Sequence, residues 1–440
     1  MFNKDQAHQL IGKVLKYSRL PECTVTLTET ERVFVRFANN GITTSGFTSR
    51  RQVSIASTRD RKTGVIETSE IEDAALRAAV ARSEELAAIA PENPEYMSSL
   101  GPQEYTDTGD YDEETAGARS PVLIPQISAI VDQTVAGKLV AAGFFERSLS
   151  ASTVANKAGL FGYHRSTYAY LSTTVRTPDG TSSGWAERPC IRIREINGAM
   201  LGESAIGKCL RWKNPRRLEP GKYTVVLEST AVGDLVGNMA WAFQARGAEE
   251  GRTFLSKDGG GTRLGEKLFP EIITLRSDPF GGKLPALPWT WELIPNRPVT
   301  WVDKGVVRNL FYDRYWAAKT NHPPTPGPRP LVLDGSDASL EELIRSVDRG
   351  LLVTRFWYIV AVNPKTLQLT GLTRDGLFLI ENGKIATSVM NFRFNESPIR
   401  MLQNTQRLGR PSRTRGEGGE MIAAPLVATD FTFTSISDAV

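Results

Sequence analysis

Alternation of the β type constrains this chain more than any other feature. From Cys23 to Ser57 the runs CTVTLTE, RVFVRFAN and RQVSIAS are rich in Val, Thr and Phe, and Asn39-Asn40-Gly41 marks a turn between the second and third. A second block, KLVAAGFFERS, LSASTVANKAG and YHRSTYAYLSTTVRT, reads the same way, with a hairpin turn at Ala155, Asn156 and Gly159. Small and polar side chains dominate these runs, which predicts an antiparallel sheet with one face toward solvent or a cleft. A third block follows Gly350: LLVTRFWYIVAV, LQLTGLTR, GLFLIENG and KIATSVMNFRF, with Glu381-Asn382-Gly383 as a hairpin signal.

Helical patterns are fewer. Residues 4–18 are amphipathic, 70–90 are Ala-rich without Gly or Pro, and further helices are expected over 124–137 and 197–212. Ser339 and Glu342 fit a capping box for SLEELIRSVDRG, with Gly350 as its end, and a short helix is expected over 399–408. Pro279 to Pro298, with Trp289 and Trp291, predicts irregular chain laid over a surface or an extended segment in a groove. The fold class is α+β. The Pro- and Arg-rich connection KNPRR to Pro220-Gly221 divides an N-terminal α+β domain, 1–217, from a C-terminal β-rich domain, 218–440.

A chain of 440 residues exceeds one ordinary core, which agrees with that division. The excess of 53 basic over 49 acidic residues is small and gives no reason to expect nucleic acid or a membrane as partner. No run of 18 apolar residues occurs, MFNKDQAHQL lacks the apolar centre of a signal peptide, and a cytoplasmic protein is expected. The cysteines, Cys23, Cys190 and Cys209, suggest neither a disulfide framework nor a zinc cluster. The histidines, His8, His164 and His322, lie far apart and do not suggest a zinc site.

Chemistry is most expected in Tyr223–Lys267. An apolar β-type run, YTVVL, turns into a small-residue helix pattern, and Gly259-Gly260-Gly261 follows as a mobile or substrate-covering loop. No GK[ST] accompanies those glycines, so a phosphate loop is disfavoured. Ser229 and Thr230 have no GxSxG and no nearby histidine; their plainer role is at a helix start. Arg407, Arg410, Arg413 and Arg415 are capable of meeting phosphate, but such a cluster more often belongs to a solvated loop.

The order of RFANNGI (36–42), ANKAG (155–159), PGKYTVVLEST (220–230), AVG (231–233), FYDRYWAAKT (311–320), SLEELIRSVDRGLLVT (339–354) and GLFLIENGKI (376–385) resembles the TldD/PmbA family, once called modulators of DNA gyrase. The resemblance implies two domains and a dimer enclosing a cavity. In the TldD branch it implies a zinc peptidase site carried by HExxxH and a distant cysteine. Where that branch has HEAVGH, this chain has Ser229-Thr230-Ala231-Val232-Gly233-Asp234, and no cysteine follows Cys209. Ser229, Thr230 and Asp234 therefore stand at degenerate metal-site positions, with no catalytic residue assigned. The chain resembles the PmbA/TldE branch, which shares this loss.

The resemblance implies a non-metal subunit of a TldD/TldE-type zinc metallopeptidase acting on peptides or unfolded polypeptides. Zinc is then expected in a TldD-like homologous partner, and no cofactor in this chain; a homodimer is the other possible pairing. The alternative is a non-catalytic peptide-binding or gyrase-related regulatory protein. An extended peptide held by main-chain pairing would need an unpaired strand edge.

Overall fold

The computed structural model describes residues 1–437. The first half opens with α1 (Lys4–Tyr17), started by a capping box between Asn3 and Gln6. There follow β1 (Glu22–Ala38), β2 (Gly41–Arg59), β3 (Lys62–Thr68), α2 (Asp73–Ile89), α3 (Glu113–Gly117) and α4 (Ser120–Ala136). The hairpin of β4 (Val140–Asn156) and β5 (Phe161–Arg176), then β6 (Ser183–Cys190) and α5 (Gly198–Arg211), complete it. CTVTLTE and RVFVRFAN form one continuous strand rather than two, because Glu29 to Arg32 stay in register with both neighbours.

The six strands make one antiparallel sheet in the order β3-β2-β1-β4-β5-β6. Period-2 alternation sends Val25, Leu27, Ile55 and Leu171 to the face covered by helices. The other face carries short hydroxyls: Thr30 lies opposite Ser150, which lies opposite Ser166. An antiparallel sheet with one polar face agrees with the polar composition of these runs. β3 pairs β2 only from Val53 onward, so among the described residues 41–52 have β1 as their sole strand partner.

The second half contains β7 (Gly221–Leu227), α6 (Ser229–Val236), a 3-10 segment (Gly237–Phe243) and α7 (Ala245–Glu249). β8 (Leu275–Ser277), β9 (Val299–Asp303), β10 (Val306–Val307), α8 (Arg314–Thr320) and β11 (Leu331–Leu333) come next. The remainder is α9 (Leu340–Arg345), β12 (Arg349–Asn363), β13 (Gln368–Glu381), β14 (Lys384–Ser388), β15 (Phe392–Glu396), α10 (Pro398–Gln403), β16 (Thr405–Leu408), β17 (Ser412–Gly416), β18 (Gly419–Ala423) and β19 (Leu426–Ile436). β12, β7, β19, β15 and β13 close into a ring, because β13 pairs β12 as well as β15. Its interior is aromatic: Phe356 stacks on Phe431 at 5.6 Å, and Phe392 lies 5.1 Å from Phe433.

Further boundaries differ from the sequence reading. The capping box at Ser339 and Glu342 is present, but α9 ends at Arg345. Gly350 instead lies in β12, where a Cβ would sit 2.6 Å from the Thr224 carbonyl, so close strand packing explains that glycine. LQLTGLTR and GLFLIENG are one strand, β13, with Asp375 and Gly376 at positive φ inside it. The helix expected over 399–408 is only α10, and its second half is β16 paired with β19.

The proline- and tryptophan-rich segment crosses onto the first half. Trp289 packs on Tyr105 at 5.0 Å, the Tyr105 hydroxyl donates to the Leu293 carbonyl, and Ala286 N–H donates to Asp110. No helix among the described residues is long and apolar enough to cross a membrane.

Candidate functional site

β7 lies between β12 and β19, and its last three residues, Val225 to Leu227, are fully buried. Glu228 then ties the chain to β12 through its N–H and the Val353 carbonyl at 3.1 Å. From Ser229 the sequence of small residues allows α6 to lie flat on β17 and β18. Ala231 to Val236 are buried, whereas Ser229 and Thr230 are half-buried at the helix start. At Gly237, just past α6, a Cβ would come within 2.2 Å of the Gly418 carbonyl.

Asp234 is the most enclosed polar side chain in this stretch. Its Oδ2 accepts the Phe356 N–H at 2.8 Å and its Oδ1 accepts the Glu417 N–H at 2.7 Å. Gly416 makes room for it, since a Cβ there would lie 2.1 Å from Asp234 Oδ1. Burial pushes the Asp234 carboxyl up to about 7, against the pull of the two N–H donors and of Arg355.

Thr230 points the other way, toward the first half. The Thr414 hydroxyl lies 2.7 Å from Glu187 Oε1 and 2.9 Å from Thr230 Oγ1. Glu187, on β6, also accepts the Arg415 N–H at 2.9 Å and the Tyr170 hydroxyl at 2.9 Å. Burial raises the Glu187 carboxyl above the usual carboxylate range.

Around this centre the halves are joined by charge. Arg415 donates to Glu146 at 3.0 Å and stands over the Tyr170 ring. Arg355 pairs with Asp375 at 2.8 Å and stands over Trp185, while the Ser183 hydroxyl donates to Asp375. Lys208 meets Glu228 at 2.7 Å. Arg413 and Arg415 are thus not a solvated cluster. Strand β17 alternates Arg413, Thr414 and Arg415, and all three find partners: Glu420 for Arg413, Glu187 for Thr414, Glu146 for Arg415.

These residues do not fit a catalytic zinc. Such a site needs three protein ligands and an open position. Ser229 and Thr230 offer neutral hydroxyls, and both oxygens of Asp234 are taken by backbone donors. Among the described residues no group of three or more His, Cys, Asp and Glu stands close enough to hold a metal ion. His8 packs on Phe161, His164 lies 3.1 Å from Asp110, and His322 stacks on Tyr312, each away from α6.

The structure places Thr230 and Asp234 on α6 with separate partners, Thr414 for one and the Phe356 and Glu417 N–H groups for the other, and places Gly259, Gly260 and Gly261 elsewhere. All three glycines have positive φ and are exposed in a turn closed by Lys257 N–H and the Gly261 carbonyl at 3.0 Å. Their loop borders a different pocket, between Asp258, Arg263, Lys365 and Arg400. Glu187, Arg355, Asp375 and Thr414 are absent from the sequence reading. The one local hint is the Arg-Thr-Arg alternation of β17.

An α+β protein in which strand β7 turns directly into the buried helix α6 is the class these features define. Residues 220–435 match the model of the PmbA/TldA metallopeptidase C-terminal domain, and the chain belongs to the PmbA/TldD family. Three solved structures share the fold over nearly its whole length. TldE from Thermococcus kodakarensis is 19% identical with a TM-score of 0.86, covering 97% of this chain and 99% of that one. A candidate modulator of a DNA gyrase from Thermotoga maritima is 18% identical with a TM-score of 0.84, covering 98% and 99%. A candidate modulator of DNA gyrase from Bacteroides thetaiotaomicron is 21% identical with a TM-score of 0.85, covering 99% and 100%. A search of curated proteins gives no match.

Proposed function

We propose that this chain is the non-metal, TldE-like subunit of a zinc-dependent peptidase assembly of the cytoplasm. A homologous TldD-like chain with an intact HExxxH supplies the zinc, and this chain shapes the chamber that holds the peptide. One observation carries the reading: the Asp234 carboxylate, at the second histidine position of the motif, spends both oxygens on the N–H groups of Phe356 and Glu417. A ligand position has become a brace between α6, β12 and the β17–β18 turn.

The first half supports a peptide-handling role. Residues 41–52 of β2 leave one edge of main-chain donors and acceptors unpaired among the described residues, beside a groove that includes Thr30, Arg32, Thr48 and Arg50. An extended peptide adds to such an edge without special side chains. The test is co-expression with an HExxxH-bearing homologue. The pair is expected to purify together and to cleave unfolded polypeptide in a chelator-sensitive way that neither chain shows alone. Cleavage by the homologue alone at the full rate would overturn the proposal.

A further inference from the structure

Just past α6, the 3-10 segment, the β17–β18 turn and the proline- and tryptophan-rich segment enclose a cleft of about 580 Å³. It adjoins Asp234, whose carbonyl accepts from the Asn238 amide and whose carboxylate accepts the Glu417 N–H. Two indoles in its wall stand open to solvent: Trp241 is 47% exposed and Trp291 is 78% exposed. Aromatic surface left open on both sides of a concavity marks a place where an apolar group docks. The cleft carries no excess of charge. One arginine, Arg329, and one carboxylate, Glu417, line it, and both Glu417 oxygens already accept N–H groups, those of Tyr358 and Ile359.

The polar atoms narrow the ligand further. Among the described residues the indole N–H groups of Trp241 and Trp291 and the side-chain amide of Gln244 have no hydrogen-bond partner. The Asn238 and Asn296 amide nitrogens are engaged by the Asp234 and Leu287 carbonyls, so these two residues have only their oxygens left to offer. Flat apolar rings, N–H donors beside them and no net charge complement a neutral ligand that is rich in apolar rings and in unpaired carbonyls. A proline-containing stretch of polypeptide is such a ligand. Each proline lacks an N–H and fixes an extended backbone whose carbonyls remain free, and aromatic-lined grooves recognise that form.

We propose that this cleft binds a proline-containing extended stretch of polypeptide, with pyrrolidine rings on Trp241 and Trp291 and main-chain carbonyls on the indole and Gln244 donors. The inference rests on the peptide-handling reading above and names a class of polypeptide for it. It also separates this cleft from the open edge of β2, because proline has no N–H with which to extend a sheet.

Binding of a labelled ten-residue peptide alternating Pro and Ala is compared with that of one alternating Ser and Ala, by fluorescence anisotropy on the full isolated chain. The proline peptide is expected to bind at least about tenfold tighter, through ring stacking and a backbone that is already extended. Trp291→Ala is expected to remove most of that preference with the thermal midpoint unchanged, since the indole is largely in solvent. Gln244→Ala is expected to weaken binding of the proline peptide severalfold. Equal binding of the two peptides overturns the inference. So does a preference that survives in Trp291→Ala and in Trp241→Ala alike, or binding of a neutral oligosaccharide such as maltohexaose without binding of the proline peptide. Both peptides are tested without the zinc-bearing homologue. Failure here with intact cleavage by the pair removes this cleft alone, and the converse removes the subunit assignment alone.

Discussion

At the scale of single residues, Asp234 is the most informative position. An unfolded aspartate releases its proton near pH 4, whereas burial holds the folded Asp234 carboxyl up to about 7. Between these values the folded state binds the extra proton, so this group's contribution to stability falls as pH rises from about 4 to about 7 and is level beyond. Asp234→Asn abolishes that dependence. It also leaves one of two backbone N–H groups facing an amide nitrogen, at a cost of about 1–3 kcal/mol. Thermal midpoints of the two proteins across pH are expected to differ most near pH 4 and to converge toward pH 8. A gap that widens with rising pH would show that the buried carboxyl is held in its charged form throughout. Ser229, Thr230 and Asp234 draw attention in the sequence because Ala231-Val232-Gly233 between them resembles the family's frame, and their standing as altered metal positions belongs to the proposal. What they do was not legible there, since Phe356, Glu417 and Glu187 lie many residues away and carry no periodic signal.

At the scale of elements, α6 and the β17–β18 turn approach too closely for side chains. Gly237 meets the Gly418 carbonyl, and Gly418 in turn would bring a Cβ to 2.4 Å from the Gly233 carbonyl. Gly237→Ala is expected to lower the unfolding free energy by roughly 1–3 kcal/mol in urea, because a backbone segment has to move. Gly207→Ala, in α5 with no atom within 4 Å of the added carbon, serves as the control and is expected to be neutral or stabilising by about 0.5–1 kcal/mol. Equal effects would mean that helix propensity, not the close approach, decides both. Elements themselves were readable where local chemistry sets them: the capping box of α9, the Asn-Gly hairpin before β14, the Ala-rich α2. Gly350 misled because close strand packing and a helix stop ask for the same residue. β17 was hidden because its alternating residues are arginines, whose partners Glu146 and Glu420 only the fold supplies.

At the scale of the whole molecule, two surfaces clamp the halves together. At one end Trp289 is inserted against Tyr105 on the first half; at the other, Arg415 reaches Glu146 beneath Tyr168 and Tyr170. Between them the hydroxyl-lined sheet face remains, with the unpaired stretch of β2 at its margin. The proposed division of labour is that the strand-to-helix frame organises this seam while a second chain supplies the chemistry. Zinc content tests that claim most directly. After equilibration with zinc and removal of excess, the isolated chain is expected to retain far less than one metal ion per molecule by elemental analysis, whereas the complex with an HExxxH-bearing homologue retains one. One tightly held zinc in the isolated chain, lost in Asp234→Asn, would contradict the account.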